Sequence, residues 1–252
     1  MTGAGMTRLP AELDRALVAV AARRPLLIAT DYDGVLARLR DVPSEAVPEP
    51  GVAEVLARLA AVDGVTVALV SGRGVGDLRT TSGLTGPYRW VGSHGAEFDG
   101  PLTGELAARR DALAALLTPV VAGTTGARLE VKPASVAVHV RQVGDRDAAA
   151  GLLDEARSLA DSSLTMKPGK DVLELAVTDA DKGSALLRLA AELGTAAAVY
   201  LGDDVTDEDG FRALGDADVT VKIGDGETAA RHRVADPAGA LAVLERLADL
   251  LG

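Results

Sequence analysis

Three short, almost purely aliphatic runs lie far apart in the chain, and each stops at a polar or glycine-bearing segment. The first spans residues 25–30 and stops at Asp31. The second spans residues 65–70 and stops at Ser71, Gly72, Arg73 and Gly74. The third spans residues 196–201 and stops at Gly202, Asp203 and Asp204. A fourth apolar run covers residues 219–223. Runs this short and apolar on both faces fit strands buried in a parallel sheet. Helical patterns precede or separate them, at residues 10–22 (Leu13, Leu17 and Val20 on one side) and at residues 54–61. Buried strands separated by helices are the sequence form of a doubly wound α/β sheet. Such sheets bind ligands beyond the carboxyl ends of their strands, so the polar stops should converge on one edge.

The middle of the chain is patterned differently. Residues 102–117 and 145–159 read as helices, and residues 127–131, 136–141 and 172–177 as alternating, half-exposed strands. Alternation of that kind points to an antiparallel sheet with one wet face. The expected organisation is a core of residues 1–99 and 180–252, interrupted at residues 100–179 by a smaller α/β domain.

Composition narrows the partners. Hydrophobic residues make up 48% and aromatic residues 2%, so the core is aliphatic. No run approaches the length of a membrane span, and the first ten residues lack the layout of a signal peptide. There is no cysteine, which excludes disulfides and thiolate metal sites and makes the cytoplasm the expected location. With 37 acidic against 26 basic residues, the net charge is -11, the wrong sign for a nucleic-acid binder. A monomer acting on a small molecule, away from nucleic acid and membrane, is expected.

Four segments carry chemistry. Asp31 and Asp33 stand two positions apart at a strand end, which puts both carboxylates on one side. Like charges that close call for a proton or a cation, and oxygen ligands alone favour a hard ion such as Mg²⁺. An ordinary Asp/Gly turn would also produce this string. Ser71, Gly72 and Arg73 offer a hydroxyl and backbone N–H groups to an anionic oxygen, although a helix cap has the same residues. Five of the seven residues from Asp203 to Asp209 are acidic. A charge run is usually a solvated loop, but this one starts where an apolar strand ends. Lys182 opens a helix, and it matters only if the fold returns it to the same edge. Together the segments supply a carboxylate nucleophile, a second carboxylate, a hydroxyl, a lysine and an acidic loop, a set suited to phosphoryl transfer.

In these four motifs the chain resembles the haloacid dehalogenase superfamily of phosphatases, over nearly its whole length, with the middle resembling that superfamily's cap. More narrowly, SHGAE (residues 93–97), ExK followed by VAVHVR (residues 130–141), GKDVLEL (residues 169–175) and YLGDDVTDED (residues 200–209) resemble the trehalose-6-phosphate phosphatase family. The resemblance implies that Asp31 is the nucleophile and forms an aspartyl-phosphate. Asp33 would protonate the leaving oxygen and then deprotonate water. It implies Mg²⁺ held by the Asp31 carboxylate, the Asp33 carbonyl and Asp203, with Asp204 and Asp207 supporting them. Ser71, Gly72, Arg73, His94, Gly95 and Lys182 would serve the phosphoryl group and substrate. Glu130, Lys132, Arg141, Lys170 and Glu174 would bind sugar hydroxyls, though Glu130 and Lys132 could simply be an exposed pair on a strand face. The implied reaction is hydrolysis of trehalose 6-phosphate, the last step of trehalose biosynthesis. A phosphatase for sucrose or mannosylglycerate phosphates is the enzymatic alternative, and an inactive phosphosugar-binding regulator the non-enzymatic one. Hinges are expected near residues 98–101 and 178–182. No glucosyltransferase-like segment accompanies the motifs, so a fused synthase is not expected. One departure stands out: Val35 follows Gly34 where the family usually has threonine.

Overall fold

The computed structural model describes residues 9–252. Most of the N-terminal stretch read as lacking a signal peptide, residues 1–8, lies outside the described residues. The chain forms two compact units, Met1–Asp99 with Asp181–Gly252, and Gly100–Ala180.

The first unit begins with α1 (Ala11–Ala21), β1 (Leu26–Thr30), α2 (Val52–Ala60), β2 (Val65–Val70), α3 (Val75–Ser82), β3 (Arg89–Gly92) and β4 (Glu97–Phe98). The inserted unit holds α4 (Gly104–Ala122), β5 (Arg128–Lys132), β6 (Ser135–His139), α5 (Arg146–Leu159), β7 (Thr165–Gly169) and β8 (Val172–Ala176). The chain then completes the first unit with α6 (Lys182–Leu193), β9 (Ala197–Gly202), α7 (Asp207–Ala213), β10 (Val219–Ile223), β11 (His232–Val234) and α8 (Pro237–Leu251).

The first unit's sheet has the order β11-β10-β9-β1-β2-β3-β4, parallel except for β4. Its centre is β1, flanked by β2 and β9, and all five β1 residues are buried, as the apolar run requires. One core layer gathers Leu13 and Leu17 of α1, Val55 and Leu59 of α2 and Val243 and Leu247 of α8 against one face. Leu186 and Leu189 of α6 and Phe211 of α7 cover the other. Helices on both faces of a mostly parallel sheet make the doubly wound α/β class that the patterning implies.

The inserted unit's sheet runs β5-β6-β8-β7, antiparallel throughout. Leu113 and Leu117 of α4 and Leu152 of α5 pack with Val136, Val138, Leu173 and Leu175. The alternate residues of those strands, Glu130, Lys132, Ser135, His139 and Glu174, therefore share the face turned away from the helices. The strands that patterning does not reveal are β3, β4, β7 and β11, and the helices α7 and α8 are missed as well. The four strands are short, and β7 contains a proline, which is tolerated because this strand is a sheet edge. Among the described residues, no helix is long and apolar enough to cross a membrane.

Candidate active site

Three parallel strands deliver their carboxyl ends to one cleft of about 560 Å³ in the first unit. Asp31 directly follows β1, and its N–H still donates to the Leu201 carbonyl of β9 at 2.9 Å, so the side chain is fixed at the sheet edge. Its carboxylate accepts from the Tyr32 N–H at 2.6 Å and from the Lys182 ammonium at 2.6 Å. Lys182 is the first residue of α6, whose start is secured by a capping box between Asp181 and Ser184. The lysine is buried and donates a second hydrogen bond, 2.7 Å, to Asp207.

Asp207 opens α7 and is fully buried. Its Oδ1 also accepts the Tyr200 hydroxyl at 2.5 Å, and its Oδ2 accepts the N–H groups of Asp203 and Asp204, each at 2.9 Å. Four donors occupy it, so it organises the acidic loop and the lysine from behind. Asp203 reaches the cleft because Gly34 leaves room: a Cβ on Gly34, whose φ is +75°, would stand 1.9 Å from Asp203 Oδ2. Lys222 from β10 donates to the Asp203 carbonyl. Asp204 is exposed, and its carboxylate turns back to the Val205 N–H at 2.7 Å.

Asp33 is clamped. Arg73 donates to its two oxygens at 2.6 and 2.8 Å, and also reaches Asp77 at 2.9 Å and the Pro43 carbonyl at 2.6 Å. Arg73 therefore does not stand free to take a phosphate; it holds the second aspartate in place, and these carboxylates push its pKa up. Ser71 is buried at the end of β2, its Oγ accepting the Arg73 N–H at 3.2 Å. His94, in left-handed backbone with φ 58°, lies over Gly72, where a Cβ would approach its Cε1 to 2.5 Å. Gly95 is buried against the Asp181 carbonyl, 2.4 Å from where its Cβ would be, and does not line the cleft.

Burial drives the electrostatics. It pushes the Asp31 carboxyl up to about 7, against the pull of Lys182 and with the help of the Asp207 charge. It pushes Asp203 up to about 6, again with help from Asp207. For Lys182 burial acts downward, but Asp31 and Asp207 outweigh it and the pKa rises.

Oxygens of Asp31, Asp203 and Asp207 come within 4.8 Å of one another. Asp207 already has its donors, whereas the Asp203 carboxylate accepts no hydrogen bond among the described residues. Crowded, desolvated oxygen ligands with one carboxylate unshared fit a hard divalent cation.

The inserted unit carries its own charged face. Lys132 donates to Glu174 at 2.6 Å, and Ser135 donates to the other Glu174 oxygen at 2.7 Å. Glu130 pairs with the His139 ring at 2.8 Å and with Arg128 at 3.2 Å, so Glu130 and Lys132 are not each other's hydrogen-bonding partners. Arg141 and Lys170 lie outside the strands and are exposed, near enough to Asp171 to lower its pKa, after the hydrogen bond from Arg146. Residues that sequence reading did not single out are Arg40, Asp77, Tyr200 and Lys222 around the cleft and Ser135 and His139 on the inserted face. Tyr200 sits inside the YLGDDVTDED string, and Ser135 and His139 fall within the 130–141 stretch, the signals that could have found them; the others occupy unremarkable strings.

The family model described as trehalose-phosphatase matches residues 29–238. A trehalose-phosphate phosphatase of Mycobacterium avium is 36% identical over 258 residues, covering 92% of this chain and 64% of that protein. A bifunctional trehalose-6-phosphate synthase/phosphatase of Thermoproteus tenax is 35% identical over 240 residues, covering 91% of this chain and 32% of that protein. The chain thus spans about a third to just under two thirds of these curated relatives. The solved structure of Aspergillus fumigatus trehalose-6-phosphate phosphatase superimposes with a TM-score of 0.74 at 24% identity, covering 94% of this chain and 97% of that one, a likeness of fold.

Proposed function

The chain belongs to the trehalose-phosphatase family, and on that premise we propose that it hydrolyses trehalose 6-phosphate to trehalose and phosphate. The observation that carries the reading is the buried array of Asp31, Lys182 and Asp207 at the cleft floor, with Asp33 held beside it. A carboxylate fixed at a strand end by an ammonium on one oxygen and a backbone N–H on the other supports reading Asp31 as the nucleophile.

Asp31 would take the phosphoryl group as an aspartyl-phosphate, the Asp31 O–P bond forming as the ester O–P bond breaks. Asp33 would give its proton to the leaving sugar oxygen and then take one from the water that hydrolyses the acyl phosphate. That duty needs Asp33 to lose and regain a proton, so the Arg73 clamp would be loose while Asp33 carries the proton, re-forming as Asp33 gives it up in the first half-reaction and loosening as Asp33 takes one from water in the second. Lys182 keeps Asp31 oriented and neutralises charge on the phosphoryl oxygens, helped by Ser71. Mg²⁺, when bound by Asp31, the Asp33 carbonyl and Asp203, would supply further neutralisation of the phosphoryl oxygens. The hydrogen bond of Asp204 to its neighbour's N–H favours a supporting part for it.

On the inserted unit, Lys132 and Glu174 are proposed to exchange their mutual pair, and Glu130 its His139 and Arg128 partners, for sugar hydroxyls, with Arg141 and Lys170 at the margin. The deciding experiment is phosphate release from trehalose 6-phosphate with and without Mg²⁺, beside sucrose and mannosylglycerate phosphates. Selective, Mg²⁺-dependent release is expected. Equal turnover of all three esters would sink the narrow substrate, and no release from any would sink the enzymatic reading.

A further inference from the structure

A phosphate monoester is close to dianionic at neutral pH. The cleft it must enter is lined by five aspartates, Asp31, Asp33, Asp77, Asp203 and Asp204. Three cationic side chains, Arg40, Arg73 and Lys182, line it too. Arg73 is engaged by Asp33 and Asp77, and Lys182 by Asp31 and Asp207. The guanidinium of Arg40 makes no hydrogen bond or ion pair among the described residues. A divalent cation would bring the lining's positive charges only level with its five aspartates, leaving no surplus for an incoming dianion, and Arg40 is the lining arginine with its donors unengaged.

The backbone that carries Arg40 is held on both sides. Before it, the Gly34 N–H donates to the Ala37 carbonyl at 2.8 Å. After it, the Glu49 N–H donates to the Leu36 carbonyl at 2.8 Å, and the buried Tyr32 hydroxyl ties down the Ala46 carbonyl at 2.5 Å. Arg38 and Glu49 add an ion pair at 3.0 Å. Leu39, beside Arg40, is 71% exposed, so the pair forms a lip and not part of the packed floor. A guanidinium has paired donors whose geometry matches two phosphate oxygens.

We propose that Arg40 is the side chain that captures the phosphate group of the incoming ester, pairing with its non-bridging oxygens at the cleft mouth. This rests on the reading of the cleft as a phosphoester site, but not on which sugar is esterified. Sequence patterning had no means of finding Arg40, which lies outside the four motifs in an exposed string.

The test uses Arg40→Gln and Arg40→Lys in the full chain with Mg²⁺ present, and inorganic phosphate as the probe. One unit charge facing a dianion across a few ångströms of water predicts that Arg40→Gln weakens orthophosphate binding about tenfold, by calorimetry or by inhibition of p-nitrophenyl phosphate hydrolysis. Its KM for p-nitrophenyl phosphate should rise by a similar factor while kcat stays within about twofold, and the salt dependence of kcat/KM should flatten. Arg40→Lys should stay within about threefold of the parent on all counts. Unchanged orthophosphate affinity in Arg40→Gln, or a fall in kcat at constant KM, overturns the proposal. A parent protein that binds orthophosphate but ignores trehalose 6-phosphate overturns only the substrate reading. One that binds no orthophosphate overturns both.

Discussion

Asp31 and Asp203 in the first unit, and Glu130 and Glu174 in the inserted unit, are all carboxylates near a basic group, yet their pKa values move in opposite directions. Burial raises Asp31 to about 7 and Asp203 to about 6. Burial also acts upward on Glu130 and Glu174, but hydrogen bonds from His139 and Arg128, and from Lys132 and Ser135, outweigh it and lower both. What differs is solvent. The cleft floor is packed under helices of the first unit, while the charged sheet face of the inserted unit is partly wet. A desolvated cluster has few alternative partners and is held ready for one chemistry. Partly solvated pairs can break and re-form cheaply, which suits exchange with hydroxyl groups.

The strongest way to break this contrast is Asp31→Asn. It keeps the shape and removes the nucleophile, so phosphate release from the best substrate should fall at least about a thousandfold. Retention of a tenth of the activity would remove Asp31 from the chemistry. The next test compares cations. Lys182→Met leaves Asp31 and Asp207 facing each other without their shared partner, and urea unfolding should show a loss of about 3–5 kcal/mol. Lys132→Met on the inserted face should cost at most about 1 kcal/mol. Equal costs would mean that the two regions do not differ in solvation as described.

Glu174→Gln probes the inserted face by function. It keeps a hydrogen-bonding group but removes the charge that holds Lys132, and KM for trehalose 6-phosphate should rise about tenfold. KM for p-nitrophenyl phosphate, which has no sugar, should not move. Parallel shifts for both substrates would deny the inserted face any part in sugar recognition.

A smaller effect separates the units by pH. Asp31 and Asp203 have raised folded pKa values, so between their ordinary value of 3.8 and about 6–7 the folded state holds protons that the unfolded state releases. Their stabilising contribution is present below that window and is lost as pH rises through it. Glu130 and Glu174 act the other way: their contribution is present above the ordinary value of 4.5 and is lost on acidification below it. In chelator-treated protein, Tm should therefore fall by a few degrees between pH 5 and 7.5. Mg²⁺ should restore more of it at pH 7.5 than at pH 5. A Tm that rises over that interval without metal would contradict the raised pKa values.

How far all this is legible in sequence depends on burial. β1, β2 and β9 announce themselves because a strand covered on both faces must be apolar throughout, and their stops mark the cleft. Asp31, Ser71 and Asp203 follow from that rule. The partnerships do not: Lys182 meets Asp31 at a sequence separation of 151, and Arg73 meets Asp33 at one of 40. Only the parallel register of the sheet brings them together. Arg73 was expected at the phosphate, and an SGR string cannot reveal that its guanidinium turns to a neighbouring loop. The edge strands β7 and β11 escape for the opposite reason, since exposure frees them from any fixed pattern.

Val35 tests the apolar side of the same unit, where no charge is involved. It follows Gly34 in the turn after Asp33, is buried, and packs with Leu36 and Ala37 in the main core layer. The turn is closed by backbone bonds, with the N–H groups of Leu36 and Ala37 donating to the Tyr32 carbonyl at 2.9 and 3.0 Å. A threonine there would bring a hydroxyl into apolar surroundings, and Val35→Thr should cost about 1–3 kcal/mol of stability if that hydroxyl finds no acceptor. Because Asp31 and Asp33 are oriented by Lys182 and Arg73, kcat should stay within about threefold. A tenfold gain in kcat would instead show that the missing hydroxyl orients the nucleophile. Charge pairing alone would then be insufficient to set the geometry of the buried cluster.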